Sequence, residues 1–342
     1  MGLQIGEIIS KKEISFSSLK GKIIAVDAFN ALYQFLTTIR QPDGTPLKDS
    51  KGNVTSHLSG LFYRNMNLIG EGIKLIYVLD GEAPVLKGKT HEKRNNLKIE
   101  MREKYERALK REDIEGMGKY ARSDVHLDEQ KIIESKQLLE AMGIAIIQAP
   151  GEGEAQASYL VKNNKAYAVA SQDYDCLMFE APKLIQNVSL ARKRKTVSGF
   201  IEVFPQMIEL EKTLKELSIN QEQLICLGII IGTDYNPGGI KGLGPKKSLK
   251  IVQEYKTKEK IFHALANDEK FSKYVIDFGW KEIYEEIRNP NIDKNPKIEF
   301  PVVNPQKIKE ILVNYEFSEE RIDKQLEKLQ ELKKQAGQKK LF

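Results

Sequence analysis

Five short apolar runs in this chain each lead into acidic residues, and that recurrence narrows the folds open to it. Ile23–Val26 leads to Asp27, Leu75–Leu79 to Asp80, and Ile144–Ala149 to Glu152 and Glu154. Ala168–Ala170 leads to Asp173 and Asp175, and Ile229–Ile231 to Asp234. Runs of this length, bounded by glycine and followed by helical periodicity, predict buried strands of a parallel sheet. The fold class expected is α/β, a mostly parallel central sheet flanked by helices. In open sheets of that class the reactive crevice lies beyond the carboxyl ends of the strands. Acids placed there repeatedly would converge on one cleft. Any one of them alone reads equally well as a helix N-cap or loop residue; the repetition favours a shared site.

Convergence has an energetic consequence. Two carboxylates about 4 Å apart repel by roughly 4 kcal/mol at an effective dielectric near 20. Seven in one pocket must either take up protons or hold cations. An all-oxygen site of this kind suits Mg²⁺ or Mn²⁺. Two such ions about 4 Å apart can activate a water and stabilise both the attacking and the leaving oxygen of a phosphodiester. That chemistry needs no histidine or serine nucleophile. The four histidines (His57, His91, His126, His263) are scattered, which gives zinc little support.

At 342 residues, 41% hydrophobic and 30% charged, the chain has length for about two domains and a sizeable core. Its net charge of +6 is compatible with a polyanionic partner. No apolar stretch approaches the roughly 20 residues of a membrane span, and the start of the chain lacks a signal-peptide pattern, so no membrane partner is expected. Cys176 and Cys226 are too few for a disulfide framework and lack metal-ligand spacing, which fits an intracellular, reducing compartment.

Residues 1–83 read as the first part of the α/β core, with a helix carrying Ala31, Leu32, Phe35 and Leu36 and a crossover helix from Ser56 to Gly70. Residues 84–125 are densely charged with few apolar anchors and read as a helical insertion. The rest of the core runs over 126–330, with helices expected at Ile132–Met142 and Glu154–Val161. From 236 onward the chain reads as mostly helical, broken by the Pro/Asn-rich stretch Asn289–Pro305. Residues 331–342, rich in Lys and Gln, are expected to form a mobile tail.

Three further groups of residues could serve a phosphodiester chemistry. Lys87 and Arg94 follow the strand before Asp80, and seven residues of helix would put both on one face. Cations there could hold a scissile phosphate; a solvated helix face is the alternative. The turn Gly238–Ser248 combines Gly242, Gly244, Lys246 and Lys247 ahead of a helix. It reads as a grip on a nucleic-acid backbone or as a plain interhelical loop, and Pro245 breaks the P-loop pattern. Tyr33, six residues beyond Asp27, could stack on a base or belong to the core. The run Arg192–Lys195 reads as a solvated turn.

Taken in order, these segments resemble the flap endonucleases, structure-specific 5′ nucleases of DNA replication and repair, and look more archaeal than eukaryotic. The resemblance runs from Gly2 to about residue 330 and rests on Val26–Ala28, Tyr77–Gly81, Ala149–Ala155, Gln172–Cys176, and Gly232–Tyr235 followed by Gly242–Lys246. It implies that Asp27, Asp80, Glu152 and Glu154 hold one Mg²⁺ and Asp173, Asp175 and Asp234 a second, with Glu154 between them and Mn²⁺ able to substitute. It implies catalytic roles for Lys87 and Arg94 at the base of a helical arch, the charged insertion, and base stacking by Tyr33. Arg40 and Arg64 match positions that contact the strand near the active site, and Gly2 would sit close to DNA. The glycine turn, within 232–255, matches a helix–two-turn–helix that grips duplex backbone, in some relatives around K⁺. The implied substrate is branched DNA with a 5′ flap, cut in a cytoplasmic setting if archaeal, with 5′–3′ exonuclease activity at the same site. A sliding clamp is the implied protein partner, through Gln338, Leu341 and Phe342, which lack the family's spaced aromatic pair.

Sister nucleases with the same core, for exonuclease ends, repair bubbles or Holliday junctions, are the nearest alternatives. The insertion of about forty residues from Pro84 fits the flap enzymes. A non-catalytic junction-binding scaffold is the alternative from another class, and it would have no use for seven clustered acids.

Overall fold

Four of the five apolar runs become strands of one sheet, and the fifth becomes the end of a buried helix. The computed structural model describes residues 3–41, 43–82, 84–87, 127–188, 193–196, 199–277 and 279–338. In chain order these form β1 (Lys12–Glu13), β2 (Ile23–Asp27), α1 (Ala28–Thr38), α2 (Ser56–Gly70), β3 (Lys74–Leu79), α3 (Glu129–Ala141), β4 (Ala145–Gln148) and α4 (Gly153–Lys162). Next come β5 (Ala168–Ala170), α5 (Asp175–Met178), β6 (Lys183–Gln186), β7 (Lys193–Thr196), β8 (Gly199–Glu202), β9 (Gln206–Glu209) and α6 (Leu210–Glu216). The remainder is helical: α7 (Gln221–Ile231), α8 (Pro245–Tyr255), α9 (Lys258–Asn267), α10 (Ser272–Asp277), α11 (Trp280–Arg288), α12 (Pro305–Asn314) and α13 (Glu319–Gln338).

The main sheet has the order β1-β9-β6-β5-β2-β3-β4. Its centre, from β6 through β5, β2 and β3 to β4, is parallel as expected. β9 runs antiparallel to β6, and β1 antiparallel to β9. The chain steps outward from β2 to β3 and β4, then returns past β2 to lay down β5 and β6. Strand order therefore reverses between β2 and β5, and such a switch point opens a crevice at the carboxyl ends of both strands.

Side chains alternate along the central strands and fill two separate cores. Ile24 and Val26 of β2 and Leu75, Tyr77 and Leu79 of β3 pack with α1, α2, α3, α12 and α13. Ala25, Ile76 and Val78 face the opposite way, into a core shared with α4, α5, α7, α9 and α11. Burial on both faces is what lets these strands read as unbroken apolar runs. Among the described residues no helix is long and apolar enough to cross a membrane.

Several expectations are corrected. Ile229–Ile231, taken as a strand, closes α7. The Asn220 side chain accepts from the Gln223 amide at 2.9 Å, and the Gln223 side chain accepts from the Asn220 amide at 2.8 Å. This capping box starts a helix. Leu224, Ile225, Cys226, Leu227, Ile229 and Ile230 are then buried all around its axis. A continuous apolar run cannot by itself separate a buried helix from a buried strand; the cap upstream does. Lys193–Thr196 is a strand of the β7–β8 hairpin, not the turn expected over Arg192–Lys195. The last helix continues to Gln338, through most of the stretch expected as a tail. Val85–Lys87 forms one 3₁₀ turn, while the rest of the expected helical insertion, with Arg94, lies outside the described residues.

Asn220→Ala removes the cap of α7 and should lower stability by about 1 kcal/mol. The check is the urea midpoint, which should fall at unchanged slope; an unmoved midpoint would count against the cap.

Candidate active site

All seven acids line one cleft of about 540 Å³ above the switch point, together with Phe29, Asn30, Tyr33, Pro84 and Lys87. Each arrives from a different local device. Asp27 ends β2 and caps α1, its Oδ1 accepting from the Asn30 amide at 3.0 Å. Ser171 donates to its other oxygen at 3.3 Å. Asp80 follows β3 and accepts from the Gly153 amide at 2.6 Å. A Cβ on residue 153 would stand 2.7 Å from that carboxylate oxygen, so glycine is what allows the approach. Glu152 is the N-cap residue of α4, and Glu154 lies in its first turn. Asp173 follows β5, and Asp175 opens α5 while accepting from the Leu3 amide at 2.8 Å.

Asp234 sits on the loop after α7. Asn236 holds that loop: its Oδ1 accepts from the Thr233 amide at 3.1 Å and hydroxyl at 2.7 Å, and its Nδ2 donates to the Ile229 carbonyl at 2.7 Å. Lys87 donates its ammonium to Glu152, with Asp234 3.9 Å away and the Tyr235 ring centroid at 5.1 Å. The Tyr235 hydroxyl donates to the second oxygen of Glu152.

Proximity and burial act together on these carboxyls. Burial, then the charge of Asp80, push Asp27 up to about 7. Burial, then Asp173, push Asp175 to about 7. Glu154 is driven well above the ordinary range by burial and by Asp175, Asp27 and Asp173. Burial also raises Asp80, against the Gly153 amide and Lys87. Among the described residues no group of three acids forms a ready-made cage for an ion, and donors of the chain meet several of the carboxylates. An all-oxygen, mutually repelling set still fits hard divalent cations, because each cation relieves the repulsion that burial makes costly.

The other expected residues divide. Tyr33 lines the cleft and is 38% exposed. Arg40 donates to the Thr37 and Gly44 carbonyls at 3.2 and 2.8 Å, closing its own loop. Arg64 is half-buried on α2, and burial lowers the pKa of its guanidinium. Gly242 and Gly244 lie in the α7–α8 turn, Lys246 and Lys247 in the first turn of α8, and all four are exposed. Lys247 donates to the Gly242 carbonyl at 3.4 Å, and Lys246 lies 3.9 Å from Glu7. Gly239 tucks this turn under α7 with φ +50, where a Cβ would stand 2.3 Å from the Ile230 carbonyl oxygen. Gly2, Arg94, Leu341 and Phe342 lie outside the described residues, although the Leu3 amide already reaches Asp175. Asn30, Ser171 and Tyr235 were not assigned roles from sequence. Tyr235 directly follows Asp234, and Asn30 sits three positions after a capping Asp27.

Comparison with known proteins agrees with this geometry. Residues 2–101 match the XPG N-terminal domain and residues 143–234 the XPG I-region. Flap endonuclease 1 of Pyrococcus furiosus is 48% identical over 341 residues, covering 99% of this chain and 97% of that protein. Its counterpart in Staphylothermus marinus is 48% identical over 314 residues, 91% of this chain and 88% of that protein. The solved flap endonuclease-1 from Methanococcus jannaschii superposes with a TM-score of 0.74 at 37% identity, over 97% of this chain and 98% of that one. The catalytic core of Rad2 in complex with DNA substrate shares the fold, with a TM-score of 0.70 at 23% identity over 93% and 96% of the two chains.

Asp27 and Asp175 are raised from an ordinary 3.8 to about 7. A raised folded value means the native state holds the proton more tightly, so this stabilisation is complete below about pH 4 and lost as pH rises through 7. In EDTA the melting temperature should therefore fall between pH 5 and 8, and Mg²⁺ at pH 8 should restore it. Asp175→Asn keeps the acceptor for Leu3 and should flatten the dependence. A melting temperature indifferent to both pH and Mg²⁺ would contradict the electrostatic account.

Proposed function

The chain belongs to the flap endonuclease family, and from that membership we propose how its cleft cuts DNA where a 5′ single strand leaves a duplex. The observation that carries the reading is the meeting of seven acids with the ammonium of Lys87 at one switch point. Asp27, Asp80, Glu152 and Glu154 would hold one Mg²⁺, and Asp173, Asp175 and Asp234 a second, with Mn²⁺ suited to the same oxygens. Bound there, the pair supplies positive charge to an attacking water and to the leaving oxygen.

The chain's own residues do the rest. Lys87 turns its ammonium from Glu152 toward the scissile phosphate, and Arg94 joins it from the base of the 84–125 helical arch. Tyr33 offers a ring at the rim of the cleft to a base, and Arg40 and Arg64 bind the strand nearby. The turn carrying Gly242, Gly244, Lys246 and Lys247 grips duplex backbone, with K⁺ as its cation, and Gly2 sits against the DNA. Contacts made mainly to phosphates select the shape of a junction over its sequence and weaken steeply with salt. Trimming from 5′ ends is a second activity of the same site. Gln338, Leu341 and Phe342 offer a sliding clamp a partial motif, and the working compartment is intracellular.

The decisive assay uses an end-labelled 5′-flap duplex beside matched bubble, four-way-junction and blunt substrates, with Mg²⁺ or EDTA. A single Mg²⁺-dependent cut at the flap base is expected, with cleavage lost but binding kept when Asp173 and Asp175 both become Asn. Preferred cutting of another substrate would move the chain to a sister specificity, and tight junction binding without any cutting would point to a scaffold. Lys87→Met should lower the single-turnover rate by about 100- to 1,000-fold, the scale of losing one donor to developing charge. A rate within a few-fold of the parent would remove Lys87 from the mechanism.

A further inference from the structure

Asn30 stands in the first turn of α1, and its side chain crosses the switch point. Its Oδ1 accepts from the Gln172 backbone amide at 3.1 Å, and its Nδ2 donates to Asp173 Oδ2 at 2.8 Å. The orientation of the amide follows from the partners themselves: a peptide N–H must face the oxygen, and an ionised carboxylate must face the nitrogen. The backbone amide of the same residue donates to Asp27 Oδ1 at 3.0 Å. From the other side, Ser171 donates to Asp27 Oδ2 at 3.3 Å and accepts from the Asp173 amide at 3.2 Å. Gln186 then fixes the same loop by donating to the Gln172 carbonyl at 2.7 Å. The result is a reciprocal stitch between the end of β2 and the loop after β5, with the Asn30 side chain on Asp173 and the Ser171 side chain on Asp27.

We infer that Asn30 is a positioning residue, which sets the Asp173 carboxylate at a fixed distance from Asp27 and so fixes the spacing of the two cation positions. The inference rests on the assignment of Asp27 and Asp173 to different cations made above. Its physical logic is that two like charges on neighbouring strands swing apart unless something neutral and bidentate ties them. Asn30 does this with two groups: its side-chain amide holds the Gln172 N–H and the Asp173 carboxylate of one loop, and its backbone amide holds Asp27. Groups that orient a ligand from behind change metal affinity by about 10- to 100-fold when removed. Asn30 touches neither water nor phosphate in this role, so the chemical step at saturating metal should survive its loss.

The test measures Mn²⁺ binding without DNA, by the electron paramagnetic resonance of free Mn²⁺, in the full chain and in Asn30→Ala and Asn30→Leu. Leucine keeps the branching and heavy-atom count of the side chain and replaces its polar atoms with methyl groups. Two bound Mn²⁺ are expected in the parent, with the weaker step loosened about 10- to 100-fold in both variants. The Mn²⁺ needed for half-maximal flap cleavage should rise in parallel. The rate at saturating Mn²⁺ and flap binding in EDTA should stay within a few-fold. A merely structural role would lower the melting temperature in EDTA without moving the isotherm. Isotherms of both variants that overlay the parent's would overturn the inference and leave the proposed function intact. A parent that binds no Mn²⁺ would sink both. A parent that binds two Mn²⁺ but cuts no flap would sink the function alone, and the isotherms would still decide the role of Asn30.

Discussion

Repulsion among buried carboxylates is the constraint on which the rest of this molecule depends. A parallel sheet whose strand order reverses between β2 and β5 delivers acids to one mouth whether or not they repel. Everything around that mouth then offsets the repulsion: the Gly153 amide on Asp80, the Leu3 amide on Asp175, Lys87 and the Tyr235 hydroxyl on Glu152, and the Asn30 amide on Asp173. These donors come from the start of the chain, two helices, a 3₁₀ turn and the loop after α7. The site is thus the place where separate parts of the fold are cross-linked, and its polarity is bound to its architecture.

The same constraint explains why the cleft is built from backbone devices more than from side-chain pairs. A backbone amide is a fixed donor that costs no side-chain entropy to hold in place. Four of the acids sit at helix starts or caps, Asp27 at α1, Glu152 and Glu154 at α4 and Asp175 at α5, where free amides and the helix dipole favour negative charge. The N-cap reading therefore holds for Asp27, whose carboxylate accepts from the Asn30 amide, and it does not compete with a metal reading of the same side chain. A capping acid is a carboxylate already aimed and held.

Much of this was legible in the residues. β2, β3, β4 and β5 announce themselves because strands buried on two faces are apolar at nearly every position, and Asp27, Asp80, Glu152, Glu154, Asp173 and Asp175 follow from their ends; Asp234 follows the apolar end of α7 instead. Ile229–Ile231 reads as a strand for the same reason, since a helix buried all round is also apolar along its length; Asn220 and Gln223 carry the distinguishing signal one turn and more upstream. Short strands such as β1, β6 and β9 have no pattern of their own and exist through pairing with distant partners. Asn30 and Tyr235 were invisible as site residues because their roles arise from contacts with residues 142 or 143 and 83 positions away. No local pattern encodes such a contact.

The bond between the Leu3 amide and Asp175 joins residues 172 positions apart, and Asp234 must come later still. During synthesis the cleft therefore stays incomplete until residue 234 has been made, well after the central strands. A growing chain that has emerged from the ribosome up to α4 carries Asp27, Asp80, Glu152 and Glu154 without the partners that complete them. Domains fold as their residues emerge, but this centre waits for the strand beyond the switch point and for the loop after α7. A chain made in that order carries an incomplete set of acids until the loop after α7 has been added.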